Sequence, residues 1–423
     1  MEKIKKRLLK TKTSSTLQIN ELSLDLEKKG QKVYKFGLGQ SPFPVPESLV
    51  KELQKNADKK DYLNVSGLLE LREAVASYHT IKNKNLYSAD DVIIGPGSKE
   101  LIFQTQLILD GDLLLPCPSW VSYEPQAQIL NKKIHWLPCN AQNNWSLESE
   151  KLNSVCSEIP NVNKLLILNS PNNPSGTTYD DLRNLAQIAS KHNIIIISDE
   201  IYAELDFSGE YKSISHFYPE GTVISNGLSK WCGAGGWRLG TFIFPKELDY
   251  IKNILRSIAS ETFTSVSAPI QYAAIKAFTE NHDQYLIDSR RILNCIAEHV
   301  YTQLSEVGLR CQKPQGGFYM LCDFSEVILT SEENLSSKLL CQKILKDIGF
   351  AMLPGSDFGI DESKLITRIA FVDFDGKKAM ALANGHSSLA KDFLNEACPN
   401  IVKGIDVLKH WIKSNYLISD EPS

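Results

Sequence analysis

The sequence predicts an α/β protein in which a large domain, built on a mainly parallel β-sheet flanked by helices, is joined to a smaller α+β domain. The 423 residues exceed one ordinary core, since domains usually span about 100 to 200 residues. From about residue 70, short and wholly apolar segments alternate with amphipathic ones. This alternation is typical of parallel strands buried on both faces. After about residue 280, long helical segments replace it.

The N-terminal residues predict helices and loops. The basic segment MEKIKKRLLK lacks an apolar core of signal-peptide length, which indicates an exposed arm. A transit peptide is the less favoured alternative, because Glu2 and the lysine-rich, arginine-poor composition argue against it. Residues 15–30 carry leucines among charges and end at a glycine, as a helix with a C-terminal stop does. The prolines of VYKFGLGQSPFPVPESL exclude a regular central element, and Pro46 is well placed to begin a helix over 47–56. We assign residues 1–45 to an N-terminal arm and part of the smaller domain.

Residues 46–290 contain the alternating segments that predict the large domain. The predicted strands are DVII, DLLL, IHWL, KLLIL, IIII, residues 222–225 and residues 241–244. Between them lie the helical segments ELREAVASYH, KELIFQTQLIL and DLRNLAQIASKH, and the proline-bounded segment PCPSWVSYEPQAQIL. In such sheets, functional residues are expected at the strand ends and in the loops that follow.

Residues 291–423 predict the C-terminal part of the smaller domain. Helices are expected near residues 284–307, 336–348 and 401–414, with the segments GGFYMLCDF, MLPGSDFG and the strand LITRIAFV between them. The segment MALANGHSSLAKDF before the last helix has no interpretation from its pattern. No long linker separates the two predicted domains.

Composition argues against several classes of partner. The formal net charge of −4 gives no electrostatic reason to expect nucleic acid, and no apolar segment approaches membrane-spanning length. The nine cysteines are odd in number, scattered and without a CxxC pair, which favours reduced thiols over a disulfide framework or a zinc site. We expect a cytoplasmic protein without a structural metal.

Several polar residues follow the predicted strands, and each has an ordinary structural explanation. Lys230 precedes a glycine-rich loop and could be solvated, whereas Asp199, directly after IIIIS, could cap a helix. Asn173 lies in NSPNNPSG, which has the composition of a turn. The helix start at Gly97, Ser98 and Lys99 could be capped by its serine, and Trp120 and Tyr123 could be core aromatics.

The segment GAGGWRLG also resembles a dinucleotide-binding glycine motif. That motif follows a strand and opens a helix, whereas here the strand-like TFIF comes next. The context therefore argues against a nicotinamide or flavin dinucleotide.

Taken together, these residues match what pyridoxal phosphate requires. Its aldehyde needs an amine, and its ring nitrogen needs a carboxylate that keeps it protonated. Its phenolate oxygen needs donors, and its phosphate needs an arginine and backbone amides. Lys230, Asp199, Tyr202, Asn173, Arg238 and the helix start at Gly97 all fall at the ends of predicted strands or in the loops that follow them.

The motifs GLGQSPF, PSWVSY, NSPNNPSG, SDEIY, SKWCGAGGWRLG and TRIAF identify a resemblance to class I and II aminotransferases of fold type I. The resemblance covers nearly the whole chain and implies a sheet of the seven-stranded type. It implies that Lys230 forms a Schiff base with pyridoxal 5′-phosphate and that Asp199 and Tyr202 are the other two catalytic residues. It implies further cofactor contacts at Gly97, Ser98, Lys99, Trp120, Asn173, Ser229 and Arg238.

The same resemblance implies how a substrate binds and how the chain assembles. Arg368 would grip the α-carboxylate of an amino acid as a bidentate fork, assisted by Gly39, Trp120 and Asn173. Tyr62 would reach the cofactor phosphate of a neighbouring subunit, which implies a homodimer with shared active sites. The expected reaction is a ping-pong exchange of an amino group between an L-amino acid and a 2-oxo acid.

Some positions depart from the commonest pattern of the family. Gly227 stands where some relatives carry a phosphate-binding serine, which Ser225 or Ser229 could replace. Ser98 stands where some aspartate-preferring relatives carry a lysine for the distal carboxylate, which weakens a dicarboxylate assignment. Cys232 is a candidate for oxidation if it is exposed.

Two other functions are compatible with these residues. A carbon–sulfur β-lyase would use the same lysine, aspartate and arginine on the same scaffold. A regulatory binding module derived from an aminotransferase is a weaker alternative, since the first 40 residues contain no basic helix-turn-helix segment.

Overall fold

The computed structural model describes Leu8 and residues 15–328, 335–386 and 388–416. Thirteen strands lie in these ranges. In chain order they are β1 Tyr34–Lys35, β2 Val92–Gly95, β3 Asp112–Cys117, β4 Ile134–Pro138, β5 Lys164–Asn169, β6 Ile195–Asp199, β7 Thr222–Gly227, β8 Gly240–Ile243, β9 Arg310–Cys311, β10 Tyr319–Asp323, β11 Phe350–Ala351, β12 Leu353–Pro354 and β13 Ile366–Ala370.

Fourteen α-helices lie in the same described ranges. They are α1 Ser15–Lys28, α2 Glu47–Lys55, α3 Leu69–Asn83, α4 Ser98–Ile108, α5 Tyr123–Leu130, α6 Ser149–Glu158, α7 Leu182–Lys191, α8 Asp249–Glu261, α9 Ala268–Thr279, α10 Asp283–Ser305, α11 Ser337–Ile348, α12 Gly376–Ala383, α13 Phe393–Ala397 and α14 Pro399–Tyr416. Across the described residues, none of these helices is both long and apolar enough to cross a membrane.

The central sheet has seven strands in the order β2-β8-β7-β6-β5-β3-β4. Strand β8 runs antiparallel to both of its neighbours, and the remaining pairs are parallel. The predicted mainly parallel, seven-stranded sheet flanked by helices is therefore confirmed.

The apolar strands of this sheet are buried on both faces. Strand β5 is buried along its whole length, and its side chains divide between two hydrophobic clusters. Leu165 and Ile167 belong to one cluster, and Leu166 and Leu168 belong to the other. Because successive side chains of a strand point to opposite faces, a continuous apolar run such as LLIL supplies both helical layers with core residues.

A second, antiparallel sheet forms from the C-terminal third of the chain in the order β12-β13-β10-β9. Near it, β1 pairs in parallel with β11 and so joins the N-terminal residues to the C-terminal ones. The division into residues 1–45, 46–290 and 291–423 stays a prediction.

Several elements were absent from the sequence prediction. Helices α6, α8 and α9 lie in stretches for which the sequence pattern predicts no element. Helix α12 includes the first four residues of the segment MALANGHSSLAKDF and α13 begins at its last residue, while Ser387 within it lies outside the described residues. The predicted first helix ends at Lys28 instead of Gly30, because Gly30 has a positive φ of 81° and forms a turn.

Candidate active site

The candidate site lies where the parallel strands of the central sheet end. Asn169 and Asp199 are the last residues of β5 and β6, and Lys230 follows the end of β7 by three residues. Because β8 is antiparallel to β7, its beginning lies at the same edge, and Arg238 precedes it by two residues. Residues far apart in the chain therefore meet at one edge.

A cavity of about 560 Å³ opens at this edge. Its wall consists of Leu38, Gly39, Gln40, Ser98, Lys99, Trp120, Asn169, Asp199, Ile201, Tyr202, Ser229, Lys230, Gly235, Gly236 and Arg238. The wall carries an amine, a carboxylate, a phenol and a guanidinium, and its volume is that of an ordinary small-molecule site.

Lys230 presents its amine to this cavity. Its Nζ donates a hydrogen bond to the Gly39 carbonyl oxygen at 2.8 Å and lies 5.5 Å from the centroid of the Tyr202 ring. Burial and the nearby Arg368 guanidinium lower the pKa of Lys230 to about 8, with Asp199 acting in the opposite direction. A substantial fraction of the amine is therefore neutral near physiological pH, as a nucleophilic lysine requires.

Asp199 is 3% exposed and receives hydrogen bonds from two side chains. The Tyr123 hydroxyl donates to Oδ2 at 2.5 Å, and the Ser225 hydroxyl donates to Oδ1 at 3.5 Å. Burial raises the pKa of Asp199 to about 6, and the hydrogen bond from Tyr123 is the largest of the opposing effects. The carboxyl group is therefore mainly ionised only above about pH 6, and as a buried anion it favours a cationic partner.

Tyr202 is buried beside the cavity and meets a second tyrosine. Its hydroxyl oxygen lies 2.8 Å from that of Tyr319, and burial, followed by the proximity of Tyr319, raises the pKa of Tyr202 well above its usual range. Both phenols therefore stay protonated at neutral pH and can donate hydrogen bonds.

Arg368 lies on β13, behind the cavity wall, and is 2% exposed. It donates through Nη2 to the Gly37 carbonyl oxygen and through Nη1 to Asn173 Oδ1 at 3.4 Å. Its Nε has no hydrogen-bond partner within the described part of the chain. A buried guanidinium with a spare donor can accept an anionic ligand.

The start of α4 and Arg238 form a second cationic region. Gly97 precedes this helix with a φ of +93°, and a Cβ at this position would lie 2.2 Å from Arg238 Nη2. Glycine is favoured here because residues with a side chain rarely adopt this backbone conformation, and a Cβ would also require the Arg238 guanidinium to move. Backbone amides at a helix start beside an arginine are suited to a phosphate.

Trp120 and Lys99 lie together on the cavity wall. Lys99 Nζ is 5.0 Å from the centroid of the Trp120 ring, and that ring contacts Tyr123 edge-on. Burial, followed by repulsion from Arg238, lowers the pKa of Lys99. The ammonium group therefore lies at the wall of the cavity with an indole face beside it.

Not every predicted site residue forms the cavity wall. Gly97 lies beside the wall residue Arg238, the Asn173 backbone N–H donates to the wall residue Asn169, and Arg368 in turn donates to Asn173. Tyr62 lies outside the wall, and its side chain is 87% exposed.

The departures from the family pattern have structural explanations. A Cβ at Gly227 would approach the Leu239 carbonyl oxygen to 2.7 Å, so the close contact of β7 with the start of β8 requires glycine there. Of the two candidate serines, Ser229 lines the cavity, and Ser225 contacts Asp199. Cys232 is fully buried, and burial raises the pKa of its thiol to about 12, which removes the condition for oxidation.

Sequence reasoning assigned no site role to Asn169, Tyr123 and Tyr319. The Asn169 amide accepts from the Asn173 backbone N–H at 2.8 Å and so fixes the loop after β5. The position of Asn169 at the end of a predicted buried strand was the one sequence feature that could have indicated a role in the site. Tyr319 lies in the segment GGFYM, and nothing in its spacing relates it to Tyr202, 117 residues earlier.

Comparisons with known proteins give a consistent result. The family model described as aminotransferase class I and II matches residues 31–376. The aspartate aminotransferase of Bacillus sp. (strain YM-2) is 31% identical over 85% of this chain and 93% of its own length. The aspartate/prephenate aminotransferase of Thermus thermophilus is 30% identical over 85% of this chain and 92% of its own. The structure of the Thermus thermophilus aspartate aminotransferase with maleate matches with a TM-score of 0.83 at 25% identity, covering 96% of this chain and 99% of that one.

Proposed function

Because this chain belongs to the class I and II aminotransferase family, we propose that it binds pyridoxal 5′-phosphate and transfers an amino group from a dicarboxylic L-amino acid, of which aspartate is the first candidate, to a 2-oxo acid. The observation that carries the proposal is the cavity at the edge of the central sheet. Amine, carboxylate, phenol and guanidinium groups converge on it.

The residues present fit the cofactor. Lys230 offers an amine whose pKa is lowered to about 8 by burial and by Arg368. Arg238 and the start of α4 offer donors for a phosphate, and Asp199 offers a buried carboxylate whose side-chain hydrogen bonds come from the hydroxyls of Tyr123 and Ser225. When bound, the group would supply an aldehyde for covalent attachment and an electron-withdrawing ring for the α-carbon of the substrate.

The chain's own groups would then move and hold protons. Lys230 Nζ would remove the proton from the α-carbon of the amino acid, since an amine with a pKa near the working pH is an effective base. Asp199 would hold a proton on the ring nitrogen, and Tyr123 would keep this carboxylate ionised. Tyr202 would donate to the phenolate oxygen, together with Asn173.

Arg368 would bind the α-carboxylate of the substrate. Its spare Nε and the Nη donors form a planar fork that matches a carboxylate. The rings of Tyr319 and Phe358 lie 4.7 Å and 5.3 Å from its Cζ and exclude water from the guanidinium. An ion pair formed there would be strong because little solvent screens it.

Lys99 supports a substrate with a second carboxylate. Arg238 and the helix start already offer donors for the phosphate, whereas the Lys99 ammonium lies over the Trp120 ring on the cavity wall. Some aspartate-preferring relatives carry a lysine for the distal carboxylate at the position of Ser98. In this chain Lys99, one position later, offers that charge. The relatives named aspartate aminotransferase, and the maleate in the Thermus thermophilus structure, are consistent with a four-carbon dicarboxylate.

We also propose a homodimer. Tyr62 is 87% exposed and lies away from the cavity of its own chain. A role for it at a cofactor phosphate therefore requires the site of a second subunit.

Purified protein supplied with pyridoxal 5′-phosphate would be assayed with L-aspartate, L-asparagine or L-alanine as donor and 2-oxoglutarate as acceptor. We expect the highest kcat/KM for L-aspartate. In Lys99→Met, kcat/KM for L-aspartate should fall by about 10- to 100-fold, whereas that for L-alanine should change less than about threefold. Equal losses for both donors would contradict the role of Lys99. Release of pyruvate and ammonia from cystathionine without amino transfer would reject the proposed reaction in favour of β-elimination.

A further inference from the structure

Tyr319 contacts three groups that the proposed function uses, although no role has been assigned to it. Its ring centroid lies 4.7 Å from the Arg368 Cζ. Its hydroxyl oxygen lies 2.8 Å from that of Tyr202 and 3.4 Å from the Gly39 carbonyl oxygen. The side chain is 2% exposed, so these contacts are made away from solvent.

The fold holds this side chain firmly. Tyr319 begins β10 and pairs with Ala370, while Arg368 pairs with Leu321 on the same two antiparallel strands. Tyr319 and Arg368 are therefore diagonal neighbours on one face of the second sheet, a spacing that long side chains bridge. The Phe358 ring lies 5.3 Å from the Arg368 Cζ, so that two aromatic side chains hold the guanidinium.

The backbone at Gly39 is adapted to the Tyr319 hydroxyl. A Cβ at this position would lie 1.9 Å from that oxygen, so a side chain there would displace the tyrosine. The same Gly39 carbonyl oxygen accepts the hydrogen bond from Lys230 at 2.8 Å. The two tyrosines, the lysine and the arginine thus share one connected set of contacts.

Proton counting determines the direction of the contact between the two tyrosines. Each phenol has one proton to donate. If Tyr202 donates its proton to the phenolate oxygen of the cofactor, as proposed above, the 2.8 Å contact requires Tyr319 to be the donor and Tyr202 the acceptor. The proton of Tyr319 then leaves the longer, 3.4 Å contact with the Gly39 carbonyl oxygen for the shorter contact with Tyr202. A phenol that accepts a hydrogen bond becomes a stronger donor, because linked hydrogen bonds polarise one another.

We propose that Tyr319 is a positioning residue with two separable actions: its ring orients Arg368 for the substrate carboxylate, and its hydroxyl strengthens the hydrogen bond that Tyr202 donates to the cofactor. This inference rests on the proposed function. It joins the carboxylate anchor on the second sheet to the cofactor contacts on the central sheet through one side chain.

Two variants separate these actions. Tyr319→Phe keeps the ring and loses the hydroxyl, whereas Tyr319→Leu loses both. Tyr250→Phe is the matched control, because Tyr250 is 56% exposed and lines a different pocket. The main measurement is the pH titration of the visible absorbance of the protein with bound cofactor, made without substrate.

A hydrogen-bond donor at the phenolate oxygen of the cofactor disfavours a positive charge on the side-chain nitrogen of Lys230 once that nitrogen is joined to the cofactor. If the donor is weakened, this nitrogen should hold its proton to higher pH, and the titration midpoint should rise. We expect Tyr319→Phe to raise it by at least about 0.3 pH unit. This variant should lower kcat by about 3- to 10-fold with less than about a twofold change in the KM of the amino acid. Tyr319→Leu should also raise that KM, by about 5- to 30-fold. Tyr250→Phe should match the wild type.

A double-variant cycle with Tyr202→Phe tests the route of the effect. If Tyr319 acts through the Tyr202 hydroxyl, adding Tyr319→Phe to Tyr202→Phe should produce no further shift of the midpoint. An unchanged midpoint in Tyr319→Phe, or an equal shift with and without the Tyr202 hydroxyl, would overturn the inference. Wild-type protein that gives no visible absorbance with added cofactor would instead reject the proposed function itself.

Discussion

Replacement of Tyr123 by phenylalanine tests how the buried carboxylate of Asp199 is kept ionised. The two side chains are 1% and 3% exposed, and the hydroxyl donates to Oδ2 at 2.5 Å. A hydrogen bond to a charged group contributes about 1.5 to 3 kcal/mol, and one pH unit of titration corresponds to about 1.4 kcal/mol. Loss of the hydroxyl should therefore move the titration of Asp199 upward by about one to two pH units.

The effect on stability follows from the direction of the pKa shift. Burial raises the folded-state pKa of Asp199 from 3.8 to about 6. Protonation of this carboxyl group therefore contributes to the stability of the folded state. The contribution is complete below the unfolded-state pKa of 3.8 and is lost as the pH rises through the folded-state pKa of about 6. In Tyr123→Phe the folded-state pKa of Asp199 is expected to be higher, so the unfolding free energy keeps falling to a higher pH than in the wild type. The difference in unfolding free energy between wild type and variant should thus widen by about 1.5 to 3 kcal/mol between about pH 5.5 and about pH 8.5.

Urea denaturation of the cofactor-free proteins at several pH values measures this difference. Tyr179→Phe is a matched control, because Tyr179 is a buried tyrosine, 7% exposed, whose hydroxyl does not contact Asp199. Its stability loss should not vary with pH in this range. A difference for Tyr123→Phe that is equally independent of pH would refute the role of Tyr123 in holding Asp199 ionised.

Substitutions at two further residues test the proposed cofactor and substrate contacts. In Lys230→Ala, covalent attachment of pyridoxal phosphate and the pH-sensitive absorbance should be lost with the fold intact, because the amine is the proposed attachment group. Borohydride reduction followed by peptide mass spectrometry should label wild-type Lys230, and an unchanged spectrum in the variant would contradict the assignment. In Arg368→Ala, the KM of the amino acid should rise by at least about 30-fold, since the substrate carboxylate would lose a desolvated partner. In Arg368→Lys the rise in KM should be smaller, because the lysine restores the charge without the planar fork. A twofold change in Arg368→Ala, measured by steady-state kinetics, would indicate another carboxylate anchor.

Local patterns in the sequence predicted the central sheet well. The runs LLIL and IIII are continuous and apolar, and LLIL and all but the first residue of IIII lie in β5 and β6, which are buried apart from the partly buried Ile195. Helices α8 and α9 were not assigned because they follow one another after β8, where the alternation of strand and helix had already ended. The antiparallel direction of β8 could not be derived from TFIF, since an apolar run has the same composition in either direction.

The same distinction applies to the candidate site. Lys230, Asp199 and Asn173 could be selected because each follows a recognisable strand or lies in a motif. Their environment could not be derived in this way. The pKa of Lys230 depends on burial and on Arg368, 138 residues away, and these effects act only once both side chains have left water.

Sequence pattern alone thus specified the α/β class, most strands of the central sheet and the residue types proposed to bind the cofactor, because periodicity and motif spacing are local properties. Tertiary structure decided which distant residues meet at one edge. Tyr123 reaches Asp199, Tyr319 reaches both Tyr202 and Arg368, and Lys99 lies beside Trp120. These contacts arise from strand order and direction, which bring together residues that no local pattern relates.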